Sequence, residues 1–282
     1  MVMEVEENKL EKDVLMLRQI MFKVMYNAGG GHLASSLSIA EILAVLYEKY
    51  INVNPSKPDW EERDRFILSK GHASIALYSI LAQKGFLDKK LLLKTCQKGN
   101  SLGGHPDMLK LPGVDASTGS LGHGFPFGVG IAFGGKLSKK DFKVYILMGD
   151  GECQEGSIWE AAIFANQHKL DNIVAIVDYN KLQAIDFIDN VGSLSPLDEK
   201  WRSFGWGTRV IEGHDIQQIS DALSSVPFVK GKPSVIIANT TKGKGISYME
   251  NVPIWHYRMP DENEVKIALK ELCLERDDLK YI

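Results

Sequence analysis

The stretch that decides the fold is Val144-Tyr145-Ile146-Leu147-Met148-Gly149-Asp150-Gly151. Its first five residues form a short apolar run, which is typical of a strand that is buried on both faces of a sheet. A second apolar run covers residues 173–177 and is followed by Asn180. Each run therefore places one oxygen ligand, from Asp150 or Asn180, where a buried strand meets a loop. A carboxylate and an amide carbonyl can hold a Mg²⁺ ion and leave positions for phosphate oxygens, so the pair suggests a diphosphate site.

Short apolar runs alternate with helical patterns along the rest of the chain. Apolar residues spaced three and four apart predict a first helix over residues 10–24, which ends at Gly29-Gly30-Gly31. Capping boxes predict helix starts at Ser38 and Ser157. Further strands are predicted over residues 65–69, 208–211 and 234–238, further helices from Ala73 and over 158–168, 196–204 and 261–279, and a long binding loop over 99–124. This alternation predicts an α/β fold with a doubly wound, mostly parallel sheet and helices on both faces.

Length and composition narrow the class of protein. With 282 residues, of which 44% are hydrophobic, the chain is expected to be globular, and a net charge of −3 argues against nucleic acid as a partner. The three cysteines show neither metal-ligand spacing nor a disulfide framework, which indicates a reducing cytosol. The acidic segment Glu4-Val5-Glu6-Glu7 is unlike a signal sequence, and no apolar run approaches the ~20 residues that span a bilayer. The sequence therefore predicts a cytoplasmic protein with no membrane contact.

The loop after the first-quoted strand leads directly into a predicted helix. Residues 149–156 connect that strand to the helix start at Ser157. Strand ends and helix N-termini form the usual anion site of open α/β sheets, because exposed N–H groups and the helix dipole both favour phosphate. A Gly-Asp-Gly tripeptide alone is more often an ordinary turn. Asn180 and the residues around it favour the phosphate site here.

An ordered set of motifs resembles the N-terminal, diphosphate-binding half of transketolases over nearly the whole chain. The motifs are Gly31-His32, Ser69-Lys70-Gly71-His72-Ala73, Gly104-His105-Pro106, Thr118-Gly119-Ser120-Leu121-Gly122, Gly149-Asp150-Gly151-Glu152, Glu155-Gly156-Ser157, Trp159-Glu160-Ala161, Lys169-Leu170-Asp171-Asn172, Asp178-Tyr179-Asn180-Lys181-Leu182, Thr240-Thr241-Lys242-Gly243-Lys244-Gly245 and Trp255-His256. One such motif is weak evidence, whereas the ordered set is strong. The resemblance implies the thiamine diphosphate-binding fold, with residues 1–282 as a single diphosphate-binding domain.

The resemblance also implies which histidines act. In transketolases the thiamine ring accepts the electrons when a carbon–carbon bond of a ketose breaks, and histidines relay protons near neutral pH. The resemblance implies catalytic roles for His32, His105 and His256. It also implies a cofactor contact for His256 and a diphosphate contact for His72. Any one of these four alone is as well explained as a structural histidine, and their shared glycine-rich surroundings favour function. His168 and His214 match no site position and are interpreted as surface or capping residues.

Further ligands follow from the same resemblance. The side chains of Asp150 and Asn180 and the backbone carbonyl of Leu182 would bind Mg²⁺, for which Ca²⁺ or Mn²⁺ could substitute. The remaining implied cofactor contacts are Gly119, Ser120 and Leu121 at the aminopyrimidine, Gly149, Gly151 and Glu152 at the diphosphate, and Lys242 nearby, with Arg258 as a further cation. A lysine so close to Lys244 could also be simply solvated. Glu155 and Glu160 match carboxylates at the family's dimer interface, although charges at a helix start explain them nearly as well.

Three residues depart from the family pattern. Leu33 stands where many members have proline after the first histidine, and His123 stands where glutamine is usual. Ala184 stands where some relatives place a larger apolar residue beneath the thiazolium. These departures put the substrate range in doubt and leave the cofactor unaffected.

The resemblance covers only half of an active site. Complete transketolases also carry a pyrimidine-binding domain and a C-terminal domain, and no segment of this sequence resembles either. The glutamate that contacts the pyrimidine ring and most arginines that hold the sugar phosphate belong to that second domain. We therefore expect an α2β2 heterotetramer in which the partner is a separate C-terminal transketolase subunit, and we expect an apolar partner face on the isolated chain.

The expected activity is that of a split transketolase of the pentose phosphate pathway, which moves a two-carbon ketol unit from a ketose phosphate to an aldose phosphate. One alternative is a related split enzyme that passes a two-carbon acyl or ketol unit to a carrier-protein thiol or a specialised sugar. Another alternative is a non-catalytic scaffold subunit. Asp150, Asn180 and the four histidines argue against the scaffold, because a protein without catalysis has no physical need for them.

Overall fold

The computed structural model describes the backbone of residues 2–282 and the side chains of residues 9–282. Its strands are β1 (Arg65–Leu68), β2 (Val144–Gly149), β3 (Ile173–Tyr179), β4 (Gly207–Glu212) and β5 (Ser234–Asn239). Within the described residues they form one sheet in the order β1-β2-β3-β5-β4, in which every neighbouring pair is parallel. The five predicted strands are confirmed, each to within two residues at either end. The placement of β5 between β3 and β4 was not predicted.

Ten α-helices surround this sheet in the described part of the chain. They are α1 (Val2–Ala28), α2 (Leu33–Leu37), α3 (Ala40–Val45), α4 (Ser74–Gln83), α5 (Gly124–Leu137), α6 (Gly156–Gln167), α7 (Ile188–Gly192), α8 (Leu197–Ser203), α9 (Ile216–Ser224) and α10 (Glu262–Glu271). Shorter turns of 3₁₀ helix cover Gly71–Ala73, Lys89–Lys94, Gly151–Gln154, Pro253–His256 and Arg276–Lys280, and a π-helical turn covers Leu46–Tyr50. The predicted first helix and its end before Gly29 are confirmed, although the side chains of Glu4, Glu6 and Glu7 lie outside those described.

Both faces of the sheet are buried. Along β2, Tyr145 and Leu147 pack into the core beneath α1–α4 and α9, whereas Ile146 and Met148 pack against α5, α6 and α8. Side chains alternate in this way because successive residues of a strand point to opposite faces. The apolar run therefore supplies both cores at once, and the predicted doubly wound α/β fold is confirmed.

The strands end at a common level, and this alignment builds one polar edge. Gly149 at the end of β2 lies opposite Asp178 of β3, and Tyr179 of β3 lies opposite Asn239 of β5. The residues that follow these ends are Asp150, Asn180 and Thr240. Parallel pairing thus brings side chains from distant parts of the sequence to the carboxyl edge of the sheet, where open α/β sheets bind their ligands.

Both predicted capping boxes are wrong, because tertiary contacts use the side chains instead. The Ser38 hydroxyl donates to Asp178, and Glu41 accepts from Arg18, so α3 begins without a side-chain cap. The Ser157 hydroxyl donates to the Gly122 carbonyl, and α6 likewise begins without a side-chain cap.

Two other predictions concern the loop over 99–124 and the last helix. Residues 95–123 contain neither helix nor strand, which confirms the long irregular segment. The helix predicted over 261–279 is shorter: α10 has a capping box at Asp261 and ends at Glu271, and Cys273 then takes a φ of 54° that no α-helix can continue through. None of the helices described is long and apolar enough to cross a membrane.

Candidate active site

A cavity of about 440 Å³ opens at the carboxyl edge of the sheet. The predicted site residues that line it are His32, His72, His105, Gly119, Leu121, Gly149, Asp150, Gly151, Glu152, Asn180, Leu182, Lys242 and His256, together with Glu155. The lining also includes Ala184, which the sequence singled out as a departure, and Ser35, Lys70, Gln154 and Gln183, which it did not single out. Ser120 is exposed and lies outside the lining, and so does Glu160. Most of the motifs that are scattered along the sequence thus contribute residues to one cavity.

Asp150 and Asn180 are both buried beside this cavity. The Asp150 carboxylate accepts hydrogen bonds from the backbone N–H groups of Gly151, at 2.7 Å, and Lys181, at 2.5 Å. Lys181 reaches it because its backbone adopts a left-handed φ of 63°. Burial, and then the nearby Asp178 carboxylate, raise the pKa of Asp150 to about 7. A bound cation would offset both effects, because it favours the charged form of the carboxylate.

Asp178 is the centre of a buried network that the sequence analysis missed. It accepts hydrogen bonds from Ser38 at 2.7 Å and from the Asn180 side-chain amide at 3.0 Å, and further bonds from Lys70 and Thr240. The Lys70 ammonium also donates to the Ser35 carbonyl at 2.9 Å and is almost completely buried. Burial alone would raise the pKa of Asp178, but Lys70 and the hydroxyl donors outweigh it and hold that pKa below its ordinary value.

A sequence signal for this network existed. Asp178 is an acidic residue inside an otherwise apolar strand, and a buried carboxylate needs a buried cation. The cation itself could not be read from the sequence, because Lys70 precedes Gly71-His72 in a loop where a lysine is ordinarily solvated. Asp178 orients the Asn180 side chain, so that the Asn180 nitrogen faces Asp178 while its oxygen accepts from the Leu182 N–H at 3.0 Å.

Four histidine rings cluster in the same cavity. The ring centroid of His32 lies 5.3 Å from that of His72, 6.3 Å from that of His105 and 5.0 Å from that of His256. Burial, with neighbouring cationic groups, lowers the pKa of His32 to about 4 and that of His256 to about 3, and it lowers the pKa of His72 well below the ordinary value. At neutral pH these three imidazoles are therefore uncharged, and each has one N–H donor and one acceptor nitrogen.

Lys242 connects the segment that follows Asn180 with the histidines. Its ammonium donates to the backbone carbonyls of Leu182 and Gln183, both at 3.1 Å, and lies 2.9 Å from Nδ1 of His256. Burial, followed by the charge of Lys70, lowers the pKa of Lys242 to about 8. Because the ammonium has only donors, Nδ1 of His256 accepts, and the proton of neutral His256 is assigned to Nε2.

The side chain of Glu152 forms hydrogen bonds with three segments around the cavity. It is buried and accepts hydrogen bonds from the Ser69 hydroxyl, from the Gly122 N–H at 3.1 Å and from the Gly149 N–H at 3.2 Å. Burial raises the pKa of Glu152, and those three donors partly offset the rise. The carboxylate therefore ties the ends of β1 and β2 to the 95–123 loop.

Several residues singled out in the sequence lie elsewhere. Arg258 pairs with Glu264 at 3.0 Å and lies outside the cavity lining. His168 is exposed at the end of α6, which confirms its interpretation as a surface residue. The same interpretation is wrong for His214, whose ring is mostly buried between Glu41, at 3.0 Å, and the Thr241 N–H, at 2.8 Å.

The cavity residues fit thiamine diphosphate and a divalent metal. The oxygens of Asp150, Asn180 and Leu182 each keep a lone pair beyond the hydrogen bonds described, and Lys242 and Lys70 supply positive charge for a diphosphate. A Cβ on Gly119 would lie 3.0 Å from the His105 ring, so glycine at this position lets the His105 ring pack closely against the backbone. Among the described side chains no group of three His, Cys, Asp or Glu could hold a metal alone, so a metal here needs oxygens from its ligand.

One cavity lies at the carboxyl edge of an open parallel sheet, and its lining contains carboxylate and amide oxygens, buried lysines and uncharged imidazoles. This combination is typical of α/β proteins that bind a phosphorylated cofactor. Residues 10–280 match the family described as "Transketolase, thiamine diphosphate binding domain". The chain belongs to the transketolase family, as a thiamine diphosphate-binding domain. The family resemblance found in the sequence is thereby confirmed.

Relatives of two lengths match the chain. It is 40% identical to an apulose-4-phosphate transketolase subunit of Phocaeicola vulgatus over 96% of this chain and 95% of the relative. It is 40% identical to "6-deoxy-6-sulfo-D-fructose transketolase subunit SqwG" of a Clostridium species over 96% and 98%. It is 38% identical to human transketolase over 90% of this chain but 40% of that protein. The crystal structure of Campylobacter jejuni transketolase superposes with a TM-score of 0.88 at 33% identity, over 94% of this chain and 43% of that one.

Proposed function

We propose that this chain is the thiamine diphosphate-binding subunit of a split transketolase that binds Mg²⁺ and transfers a two-carbon ketol unit together with a partner subunit. The observation that carries the proposal is one cavity that is lined by Asp150, Asn180 and four clustered histidines. Relatives of the same length are named as transketolase subunits, which supports a division of the enzyme between two chains. The pyrimidine-binding and C-terminal domains would then belong to the partner.

The proposed metal ligands are the side chains of Asp150 and Asn180 and the carbonyl of Leu182. Together with two diphosphate oxygens and a water they would complete the six oxygens that Mg²⁺ prefers, and Ca²⁺ or Mn²⁺ could take the same place. Bound thiamine diphosphate supplies the electron sink for breaking a carbon–carbon bond next to a carbonyl. The proposed contacts of Gly119 and Leu121 with the aminopyrimidine, and of Gly149, Gly151 and Glu152 with the diphosphate, stay predictions, as does the contact of Ser120.

The chain's own contribution to the reaction would be proton handling and orientation. His32 and His256 are uncharged at neutral pH because burial lowers the pKa of each, so each ring has one N–H donor and one acceptor nitrogen. Lys242 occupies Nδ1 of His256 and leaves its Nε2–H as the donor available to a hydroxyl or carbonyl oxygen. His105, whose ring is 6.3 Å from that of His32, would face the same reacting carbons. His72 would bond the diphosphate.

The substrate class we propose is a ketose with an anionic end distant from the reacting carbons. The names of the two subunit relatives specify apulose 4-phosphate and 6-deoxy-6-sulfo-D-fructose, both of which end in an anion. Those names favour a specialised sugar over xylulose 5-phosphate and the pentose phosphate pathway. A cytoplasmic location stays a prediction of the sequence.

The partner subunit would cover exposed apolar side chains beside the cavity. Ile185 is 79% exposed and Phe187 44% exposed in the loop that follows the Asn180 segment, and Tyr257, next to His256, is 63% exposed. Glu155 and Glu160 are exposed at the start of α6, where they are free to lie in an interface. We propose an α2β2 heterotetramer in which these surfaces meet the second subunit or the second copy.

The decisive experiment is thiamine diphosphate binding by the chain reconstituted with the product of a neighbouring pyrimidine-domain gene. We expect binding with Mg²⁺, no binding with a chelator, and loss of binding in Asp150→Ala. Ketol transfer is then assayed on apulose 4-phosphate, 6-deoxy-6-sulfofructose and xylulose 5-phosphate. Unaltered cofactor affinity in Asp150→Ala would exclude the metal site, and cofactor binding without turnover of any ketose would favour the scaffold alternative.

A further inference from the structure

The loop that follows β5, residues 240–245, is held by the rest of the protein at several points, including the Asn251 N–H, which donates to the Lys242 carbonyl at 2.9 Å. The Thr240 hydroxyl donates to Asp178, and the Gly243 N–H donates to the Ala34 carbonyl at 2.9 Å. The Thr241 N–H donates to Nε2 of His214 at 2.8 Å, and the Lys244 carbonyl accepts from Nε of Arg18 at 3.0 Å. The side chain between these anchors, that of Lys242, is the one that enters the cavity.

Two of these anchors, His214 and Arg18, belong to one buried chain of charged and polar groups. Arg18 of α1 donates from Nη2 to Glu41 of α3 at 2.6 Å, and the other Glu41 oxygen lies 3.0 Å from Nδ1 of His214. All three side chains are at most 19% exposed. Burial by itself raises the pKa of Glu41, but the hydrogen bond from His214 and the charge of Arg18 outweigh it and hold the pKa below its ordinary value.

The hydrogen bonds fix the state of His214. Thr241 offers an N–H, so Nε2 must accept, and Glu41 is a carboxylate, so Nδ1 must donate. Only the neutral imidazole with its proton on Nδ1 does both. Glu41 therefore selects the tautomer whose free nitrogen holds the backbone immediately before Lys242, and Arg18 keeps Glu41 charged while it holds the far end of the same loop.

We propose that His214 is a positioning residue for Lys242, and that Arg18 and Glu41 fix its orientation. His214 does not line the cavity, so it acts on the site only through the loop. Lys242 in turn holds the Leu182 and Gln183 carbonyls and Nδ1 of His256. Loss of the His214 anchor would therefore loosen the backbone immediately before Lys242, whose own carbonyl still accepts from the Asn251 N–H at 2.9 Å, and so weaken the hold on the ammonium. The consequence for cofactor binding rests on the proposed function, whereas the position of Lys242 does not.

Two substitutions separate the two bonds of His214. In His214→Gln the amide oxygen can occupy the place of Nε2 and accept from Thr241, whereas in His214→Asn the shorter amide occupies the place of Nδ1 and leaves the Thr241 N–H without an acceptor. His168→Asn is the matched control, because His168 is exposed at the end of α6. The first measurement is the rate of amine labelling at each lysine by reductive methylation and mass spectrometry of the full chain, which needs neither cofactor nor partner.

We expect His214→Asn to label at Lys242 about tenfold faster than the parent, because one buried backbone hydrogen bond is lost. His214→Gln and His168→Asn should label as the parent does. Lys70, which is as deeply buried as Lys242, is the internal reference, because general unfolding would expose both lysines whereas release of the loop exposes only Lys242. Equal labelling at Lys242 in His214→Asn and the parent, or parallel increases at Lys70 and Lys242, would overturn the proposal.

The second measurement is the Kd for thiamine diphosphate in Mg²⁺, with kcat at saturating cofactor, in the reconstituted enzyme. We expect His214→Asn to raise Kd about tenfold with a smaller loss of kcat, and His214→Gln to restore both. If the parent chain binds no thiamine diphosphate, the proposed function fails, and the labelling pattern still decides the role of His214. Unchanged Kd in His214→Asn despite faster labelling would show that Lys242 does not contribute to cofactor binding.

Discussion

Substitution of Asp178 by Asn tests whether the buried network at the carboxyl edge depends on its charge. Asn has the size of Asp but no charge, so the change leaves the Lys70 ammonium without a counterion. Both side chains are at most 2% exposed. Water therefore cannot replace the lost carboxylate, and the other residues bonded to Asp178 are neutral: Ser38, Asn180 and Thr240.

The expected loss of unfolding free energy has an upper and a lower limit. Removing one member of a buried ion pair costs about 3–5 kcal/mol, because the remaining charge stays desolvated. We therefore expect Asp178→Asn to lose about 3–5 kcal/mol. Adding Lys70→Met should recover part of that loss, because the unpaired charge is then gone.

The assay is urea unfolding followed by tryptophan fluorescence. The matched control is Asp198→Asn, which breaks the exposed pair between Asp198 and Arg202, with side chains 30% and 51% exposed, and should cost less than about 1 kcal/mol. A loss below about 1 kcal/mol in Asp178→Asn would refute the reasoning. So would a double variant with Lys70→Met that is less stable than Asp178→Asn alone.

Two further predictions concern a glycine and the histidines. Gly243→Ala should lower the free energy of unfolding in urea by at least about 2 kcal/mol, because the φ of Gly243 is 84° and a Cβ would lie 2.5 Å from the Met249 carbonyl oxygen. Gly231→Ala is the control: its φ is 77° but the space around it is open, so it should lose only about 1 kcal/mol. Equal losses in the two variants would contradict this prediction. His32 and His256 stay neutral in the folded protein down to pH about 4 and about 3 but gain protons near pH 6.5 when unfolded, so they lower the melting temperature of the chain without ligand from pH 7.5 to pH 5. Asp150, with a pKa of about 7 in the folded protein, gains a proton over the same range and offsets part of this fall. His32→Asn should make that fall smaller, and parallel curves for the two proteins would count against it.

The elements of the fold were predictable because burial on both faces leaves a simple mark in the sequence. A strand such as β2 must be apolar throughout, and its run of five apolar residues is visible without any structure. The order of the strands leaves no such mark. Nothing in the apolar run of β5 distinguishes a strand between β3 and β4 from one at the edge of the sheet.

The predictions from local motifs failed where long-range contacts compete for the same side chain. Ser38 and Glu41 have the spacing of a capping box, but Asp178 and Arg18 bind them more strongly than the helix start does. His214 looked like a surface residue because its partner Glu41 lies 173 positions away. The cavity residues were predictable because a cofactor restricts residue type at each contact, whereas the residues that hold them in place are restricted only by their neighbours in space.

The network around Asp178 has a consequence for how a ligand could enter. Ser38, Lys70, Asn180 and Thr240 come from four separate segments and are tied to one carboxylate by bonds within the chain itself. The conformational entropy of these side chains is therefore lost when the chain folds, and binding does not have to remove the roughly 0.5–1.5 kcal/mol that each flexible side chain would otherwise cost. This wall of the cavity is preorganised and stiff. Lys70 and Asn180 line the cavity, so an entering ligand meets side chains there that are already held in place.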